Sequence, residues 1–275
     1  MQKIDYALII TDFDGTLARS DGTVSDKTKE EITRYVQNGG KFAISTGRMP
    51  AAILSRAKEL GLCGAVCCAQ GSVIVDIQSR EILLEGRIPN SVAVTICEKM
   101  EARGLHIHVY DLWEYYSNMD DDYLAYYEGV VKEKAILIQD KPISQFVKES
   151  GMQPFKILAM VDPKDNERIR LELEKENFAG CDVTRSSSLL VEVGNAAFSK
   201  GTSLEFLAKQ YSIDIQKTIA VGDQINDLSM IKRAGLGFAV QNADEMLKAH
   251  AIVLDKTNDE DAVAQIIAQY GYKNG

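Results

Sequence analysis

The stretch Ala7-Leu8-Ile9-Ile10-Thr11-Asp12-Phe13-Asp14-Gly15-Thr16-Leu17 decides how the rest of the chain is read. Its first four residues are a continuous apolar run, the pattern of a strand buried on both faces of a parallel sheet. Asp12 and Asp14 follow, one residue apart, and in extended backbone residues i and i+2 project to the same side. Two carboxylates thus converge at the carboxyl end of a buried strand, where open parallel sheets place their ligands. They repel unless a cation lies between them or a proton is shared. An all-oxygen pair suits a hard ion such as Mg²⁺. Gly15 supplies a turn that a residue with a β-carbon resists. A polar turn carrying two solvated carboxylates is the competing account of the stretch by itself, and the rest of the chain weighs against it.

Outward from this strand, Ser25 or Asp26 caps a helix that runs to about Asn38 and stops at Gly39-Gly40. Lys41-Phe42-Ala43-Ile44 reads as a second strand and delivers Ser45-Thr46-Gly47-Arg48 at its carboxyl end. Pro50 opens a helix ended by Gly61, Ala65-Val66-Cys67-Cys68-Ala69 is a third buried strand, and residues 72–85 read as a hairpin. Strand and helix alternate here as in a parallel sheet. From about Arg87 the pattern changes. A helix over 91–103 leads to Leu105-His106-Ile107-His108-Val109-Tyr110, whose alternating polarity predicts a sheet with one solvated face. An aromatic, acidic stretch follows from Trp113 to Tyr127. Further strands near 135–138, 155–161, 181–185 and 188–193 alternate with helices near 142–149 and 163–177. At Lys200 the first pattern resumes: helix 201–211, strand 218–221, helix 224–234, strand 236–240, helix 243–249, strand 251–254 and helix 259–271. The expectation is a doubly wound parallel-sheet, Rossmann-like α/β core made of residues 1–86 and 190–275, with an α+β insert over 87–189.

The totals agree. The 275 residues are 45% hydrophobic and 26% charged, enough to build a core. A net charge of −9 gives no footing for nucleic acid. No apolar run approaches a membrane span, and no basic region with an apolar segment and cleavage site opens the chain. The five cysteines include no Cys-x-x-Cys pair and read as reduced thiols of a cytoplasmic protein.

Four segments obey one rule: polar residues at the carboxyl end of a core strand or the start of a core helix. They are Asp12-x-Asp14, Ser45-Thr46-Gly47, Lys200, and Gly222-Asp223-x-x-Asn226-Asp227. If the strands are neighbours, their ends share one crevice holding acidic ligands, a fixed positive charge, a hydroxyl, exposed amides and a carboxamide. That inventory fits a phosphoryl group bridged to Mg²⁺.

In their order, Asp12-Phe13-Asp14-Gly15-Thr16-Leu17, Ser45-Thr46-Gly47-Arg48, Lys200-Gly201 and Gly222-Asp223-Gln224-Ile225-Asn226-Asp227 resemble the four motifs of the haloacid dehalogenase-like hydrolases. The insert between the second and third motifs resembles that of the Cof-type sugar-phosphatase branch. The resemblance spans essentially the whole chain and implies a Mg²⁺-dependent phosphatase for small-molecule phosphoesters. Asp12 would be the nucleophile that forms an aspartyl-phosphate. Asp14 would arrive protonated, give its proton to the leaving alkoxide and then take one from water; its backbone carbonyl would reach the metal. Asp223 would complete the Mg²⁺ site with Asp12. Thr46, the Gly47 amide, the Phe13 amide and Asn226 would hold phosphate oxygens. The hydroxyl pattern alone leaves Ser45 and Thr46 even, and the resemblance selects Thr46. Lys200 would offset charge, Asp227 would orient Lys200 or the metal's surroundings, and Arg48 would contact substrate or insert. The insert would act as a cap that sets specificity, hinged near 84–88 and 185–193. A phosphosugar mutase using the same Asp pair and a non-catalytic phosphate-binding or metal-binding regulator are the alternatives. One departure stands out: relatives usually carry Asn-Gly where this chain has Gln70-Gly71. Outside the motifs, His106 and His108 share a strand face but lack a third metal ligand, and Asp120-Asp121-Asp122 reads as a solvated loop. The aromatics between Trp113 and Tyr127 read mostly as packing.

Overall fold

The opening run forms β1 (Leu8–Asp12), buried at every position. In the computed structural model, which describes residues 2–273, it is followed by α1 (Asp26–Gln37), β2 (Lys41–Ser45), α2 (Pro50–Glu59), β3 (Ala65–Cys68), β4 (Val73–Asp76) and β5 (Ile82–Glu85). The Ser25 side chain caps α1, accepting from the Thr28 amide at 3.0 Å. Next come α3 (Asn90–Glu101), β6 (His106–Tyr110), β7 (Tyr115–Ser117), α4 (Asp122–Val131), β8 (Ile136–Leu137), α5 (Ile143–Ser150), β9 (Lys156–Met160), α6 (Asn166–Glu174), β10 (Cys181–Ser187) and β11 (Leu190–Asn195). The chain continues through α7 (Lys200–Gln210), β12 (Thr218–Gly222), α8 (Leu228–Arg233), β13 (Leu236–Ala239), α9 (Glu245–Lys248), β14 (Ile252–Val253) and α10 (Ala262–Tyr270). Two compact units result. The first holds the described residues up to Gly47, residues 54–84, and those from Ser199 onward; the second holds residues 85–198 together with 48–53.

The first unit is built on a sheet of order β14-β13-β12-β1-β2-β3-β4-β5. Every pair from β14 to β3 is parallel, and β4 turns back antiparallel to β3. The order runs outward from β1 in both directions, which makes the β1/β12 boundary a topological switch point. Register brings the strand tips level: Asp12 lies opposite Ser45, and Thr11 opposite Val221. This is the doubly wound α/β core expected from the alternation of strand and helix.

The second unit has a sheet of order β10-β11-β9-β6-β7-β8, antiparallel except between β7 and β8. Alternate residues Ile107, Val109, Ile157, Ala159, Val191 and Val193 face a hydrophobic core shared with α3, α5 and α6. The opposite face of β6 carries His106, His108 and Tyr110, and all three are buried. The expected solvated face is therefore corrected on β6: it is polar, but hydrogen-bonded and buried. The aromatic, acidic stretch from Trp113 to Tyr127 forms β7 and the first part of α4. Asp121 is not in a solvated loop: its carboxylate accepts from the Leu124 amide at 3.0 Å as the N-cap of α4, and contacts His106. The second junction falls at 198/199 instead of 189/190, because β11 pairs with both β9 and β10 and completes the second unit's sheet.

Helix starts also differ in detail. Residues 225–227 form a 3₁₀ turn before α8, and the last helix is divided at Asp261, whose φ is +65°. All five cysteines are free thiols. Among the described residues, no helix is long and apolar enough to cross a membrane.

Candidate active site

Asp12 ends β1, and the turn after it is wired to the tip of β12. The Ala18 amide donates to the Phe13 carbonyl at 2.8 Å, closing the turn. Gly15 takes φ +76°, and a β-carbon there would lie 2.6 Å from Asp223 Oδ2, so both backbone conformation and space require glycine. The Thr16 hydroxyl donates to Asp223 Oδ1 at 2.8 Å. Asp223 follows β12 directly and is buried.

Lys200 is the first residue of α7, held there by a reciprocal cap between Ser199 and Thr202. Its ammonium is buried and donates to Asp12 Oδ1 and to Asp227 Oδ1, each at 2.6 Å. Asp227 Oδ2 accepts from the Asp223 and Gln224 amides at 2.9 and 3.0 Å. Asp227 therefore uses three of its acceptor positions to tie Lys200 to the tip of β12. Gly222 makes room for this, since a β-carbon there would lie 2.4 Å from Asp227 Cβ.

The charges do not balance within this cluster. Burial pushes the Asp12 carboxyl well above the usual carboxylate range; Lys200 pulls it back, and Asp227 and Asp223 push it up again. Burial also raises Asp223, against the hydrogen bond from Thr16, with Asp227 adding to the rise. Burial lowers Lys200, but Asp12 and Asp227 outweigh it and the ammonium is held charged. Carboxylate oxygens of Asp12, Asp223 and Asp227 lie within 4.8 Å of one another. Three carboxylates against one ammonium leave two negative charges uncompensated when all are ionised. A hard divalent cation with oxygen ligands fits that donor set and that deficit. Hydrogen bonds from Lys200 and two backbone amides engage both oxygens of Asp227, whereas the one to Asp12 falls on Oδ1 alone.

Beside the carboxylates lie the tips of β2 and β3. Thr46 is buried, its amide donating to the Cys67 carbonyl at 2.8 Å and its carbonyl accepting from the Gln70 amide at 3.1 Å. Ser45 Oγ is buried without a hydrogen-bond partner among the described residues. Asn226 Nδ2 donates to Gln70 Oε1 at 3.1 Å. The structure thus gathers Asp12, Thr46, Gly47, Lys200, Asp223, Asn226 and Asp227 within the first unit, with Phe13 beside them on the turn. Asp14 is exposed, and its side chain is not one of the three clustered carboxylates. Arg48 belongs to the short segment grouped with the second unit. Sequence reasoning gave no role to Thr16 or Gln224, whose side chains both hold Asp223. Their signal was position alone, one just past the Gly15 turn and the other next to Asp223.

A sequence profile of the haloacid dehalogenase-like hydrolases matches residues 9–267. A putative phosphatase of Haemophilus influenzae is 28% identical over 266 residues, covering 96% of this chain and 98% of that protein. A 5-amino-6-(5-phospho-D-ribitylamino)uracil phosphatase of Bacillus subtilis is 27% identical over 270 residues, covering 98% and 97%. Among solved structures, a haloacid dehalogenase-like hydrolase from Bacteroides thetaiotaomicron superposes with a TM-score of 0.84 at 30% identity, over 96% of this chain and 99% of that one. The profile runs through all three segments of the first unit and through the second unit. The chain is a phosphatase belonging to the haloacid dehalogenase-like hydrolases.

Proposed function

We propose that this phosphatase hydrolyses small phosphomonoesters with Asp12 as nucleophile and Mg²⁺ as its cofactor. The observation that carries the reading is Asp12 at the switch point of the sheet, one oxygen 2.6 Å from the buried Lys200 ammonium, with Asp223 on the neighbouring strand's tip. Asp12 and Asp223, with the backbone carbonyl of Asp14, would hold Mg²⁺. Bound there, the ion neutralises negative charge on the phosphoryl oxygens. An Asp12 oxygen attacks phosphorus, forming one P–O bond as the bond to the leaving alkoxide breaks. Asp14 gives its proton to that alkoxide, and its exposed position gives it access to the ester side of the substrate. It then takes a proton from the water that attacks the aspartyl-phosphate, releasing inorganic phosphate and restoring Asp12. Lys200 favours the ionised form of Asp12, partly offsetting burial, and offsets charge on the phosphoryl group. Thr46, Gly47, Phe13 and Asn226 supply donors to its oxygens. Asp227 holds Lys200, and Arg48 is assigned to the leaving group. We further assign substrate choice to the second unit.

The test is release of inorganic phosphate from a panel of hexose phosphates, pyridoxal phosphate and the ribitylaminouracil phosphate named for the Bacillus relative. Turnover with Mg²⁺ that stops with excess chelator is expected. Conversion of a hexose phosphate into its isomer without free phosphate would replace hydrolysis with phosphoryl return to the sugar.

A further inference from the structure

The loop between β3 and β4 holds an unusual backbone. Ala69 and Gln70 take φ +47° and +58° in succession, a region that residues with a β-carbon seldom occupy. Gly71 follows at φ +102°, and a β-carbon there would lie 2.3 Å from the Ser199 carbonyl oxygen, so the loop is pressed against the start of α7. Strain of this kind persists where the surrounding contacts over-determine it, and it collects at functional sites.

Here it places one side chain. The Gln70 amide donates to the Thr46 carbonyl at 3.1 Å. Its Oε1 accepts from Asn226 Nδ2 at 3.1 Å. Its Nε2 lies so near Gly47 that a β-carbon on that glycine would be 2.6 Å away. Gln70 therefore touches both segments proposed to bind phosphate, the one after β2 and the one after β12. Asn226 Oδ1 is buried with no hydrogen-bond partner among the described residues, so Gln70 is what fixes the direction of that carboxamide. With one N–H given to Gln70, the second N–H of Asn226 remains for a phosphoryl oxygen.

We propose that Gln70 is a positioning residue that orients Asn226 and backs the Thr46–Gly47 turn, so that both present donors to one phosphoryl group. The inference rests on the phosphatase reading above and adds a residue to it. A shorter Asn at this position would lack the methylene with which Gln70 spans from its own loop to Asn226.

The test uses full-length protein carrying Gln70→Met, Asn226→Ala, both together, and Gln70→Gly. Binding of inorganic phosphate in the presence of Mg²⁺ is measured by calorimetry, alongside kcat, KM and thermal melting. Gln70→Met, similar in length but without the carboxamide oxygen that accepts from Asn226, is expected to weaken phosphate binding about tenfold and to lower kcat more than KM. The double variant is expected to bind no worse than Asn226→Ala alone. Gln70→Gly relieves the backbone and is expected to melt no lower than wild type while losing phosphate affinity, which a merely structural role would not produce. Unchanged binding in Gln70→Met, or losses that multiply in the double variant, overturn the proposal. If the wild type binds phosphate with this coupling yet releases none from any ester, the hydrolytic reading fails and the positioning role stands. If the wild type binds no phosphate, both fall.

Discussion

Asp12 sits where an ionised carboxylate is uncomfortable. Burial and two neighbouring carboxylates raise its proton affinity, and Lys200 only partly reverses this. A carboxyl whose folded-state affinity is raised lowers stability at pH values above its unfolded range, since ionising it is harder in the fold. Asp12→Asn is therefore expected to abolish turnover and yet to melt at or above the wild-type temperature, a trade of stability for chemistry. Scanning calorimetry with a mass check against hydrolysis of the new amide decides it; a clearly lower melting temperature contradicts the account. Lys200 presents the opposite case. Its ammonium is buried against Asp12 and Asp227, so Lys200→Met takes from both carboxylates the cation they share. Turnover is expected to fall by about 10²–10³, the usual effect of losing one electrostatic contact to the transition state. Initial-rate kinetics at saturating Mg²⁺ measure it. Both residues were legible because each stands beside its own strand or helix signal in the sequence. The pairing of Gln70 with Asn226 was not, since the partners are 156 residues apart and only the folded sheet brings them together.

At the scale of the element, β6 shows what alternation reveals and what it hides. The pattern His106-Ile107-His108-Val109-Tyr110 correctly separates an apolar face from a polar one. It says nothing of α4, which supplies Asp121 to His106 Nδ1 at 3.0 Å and Tyr127 to the Tyr110 hydroxyl at 2.6 Å. His106 Nδ1 faces the Asp121 carboxylate, and its Nε2 lies 2.9 Å from Ser117 Oγ and 3.0 Å from His108 Nε2. A proton on each of the two Nε2 atoms would set two N–H groups head to head. Burial, then His106 and Lys156, hold His108 well below its ordinary 6.5. The unfolded chain thus takes up a proton near 6.5 that the fold refuses, so this contribution to stability is complete above pH 6.5 and declines as pH falls below it. The expected loss is about 1.4 kcal/mol per pH unit for one proton. Urea unfolding of wild type and His108→Gln at pH 7, 6 and 5 isolates the effect: the variant's curve should be flatter by that amount, and parallel curves would refute the assignment.

Across the whole molecule, the governing fact is that β1 pairs with β12, Leu8 opposite Thr218, so the first unit is closed by segments from both ends of the sequence. That discontinuity was readable, because the strand–helix grammar stops near 87 and resumes at 200. The second junction was misplaced, because β11 reads like a core strand until its partners β9 and β10 are known. The two crossings lie side by side: a β-carbon on Gly86 would be 2.3 Å from the Phe198 ring. A short Gly/Ser linker can therefore replace residues 85–198 without stretching the first unit, whose entire sheet and whose cluster Asp12, Asp223 and Asp227 remain. The shortened protein is expected to unfold cooperatively and to be stabilised by Mg²⁺, by about 2.7 kcal/mol at a concentration one hundred times its Kd. Asp223→Asn in the same background should remove most of that gain, because it takes away one of the two carboxylates proposed to hold the ion. Denaturation with and without Mg²⁺ reads both effects. A non-cooperative transition would mean that the first unit does not fold by itself. A cooperative one indifferent to Mg²⁺ would mean that the uncompensated charge at the strand tips is balanced by protons and not by metal.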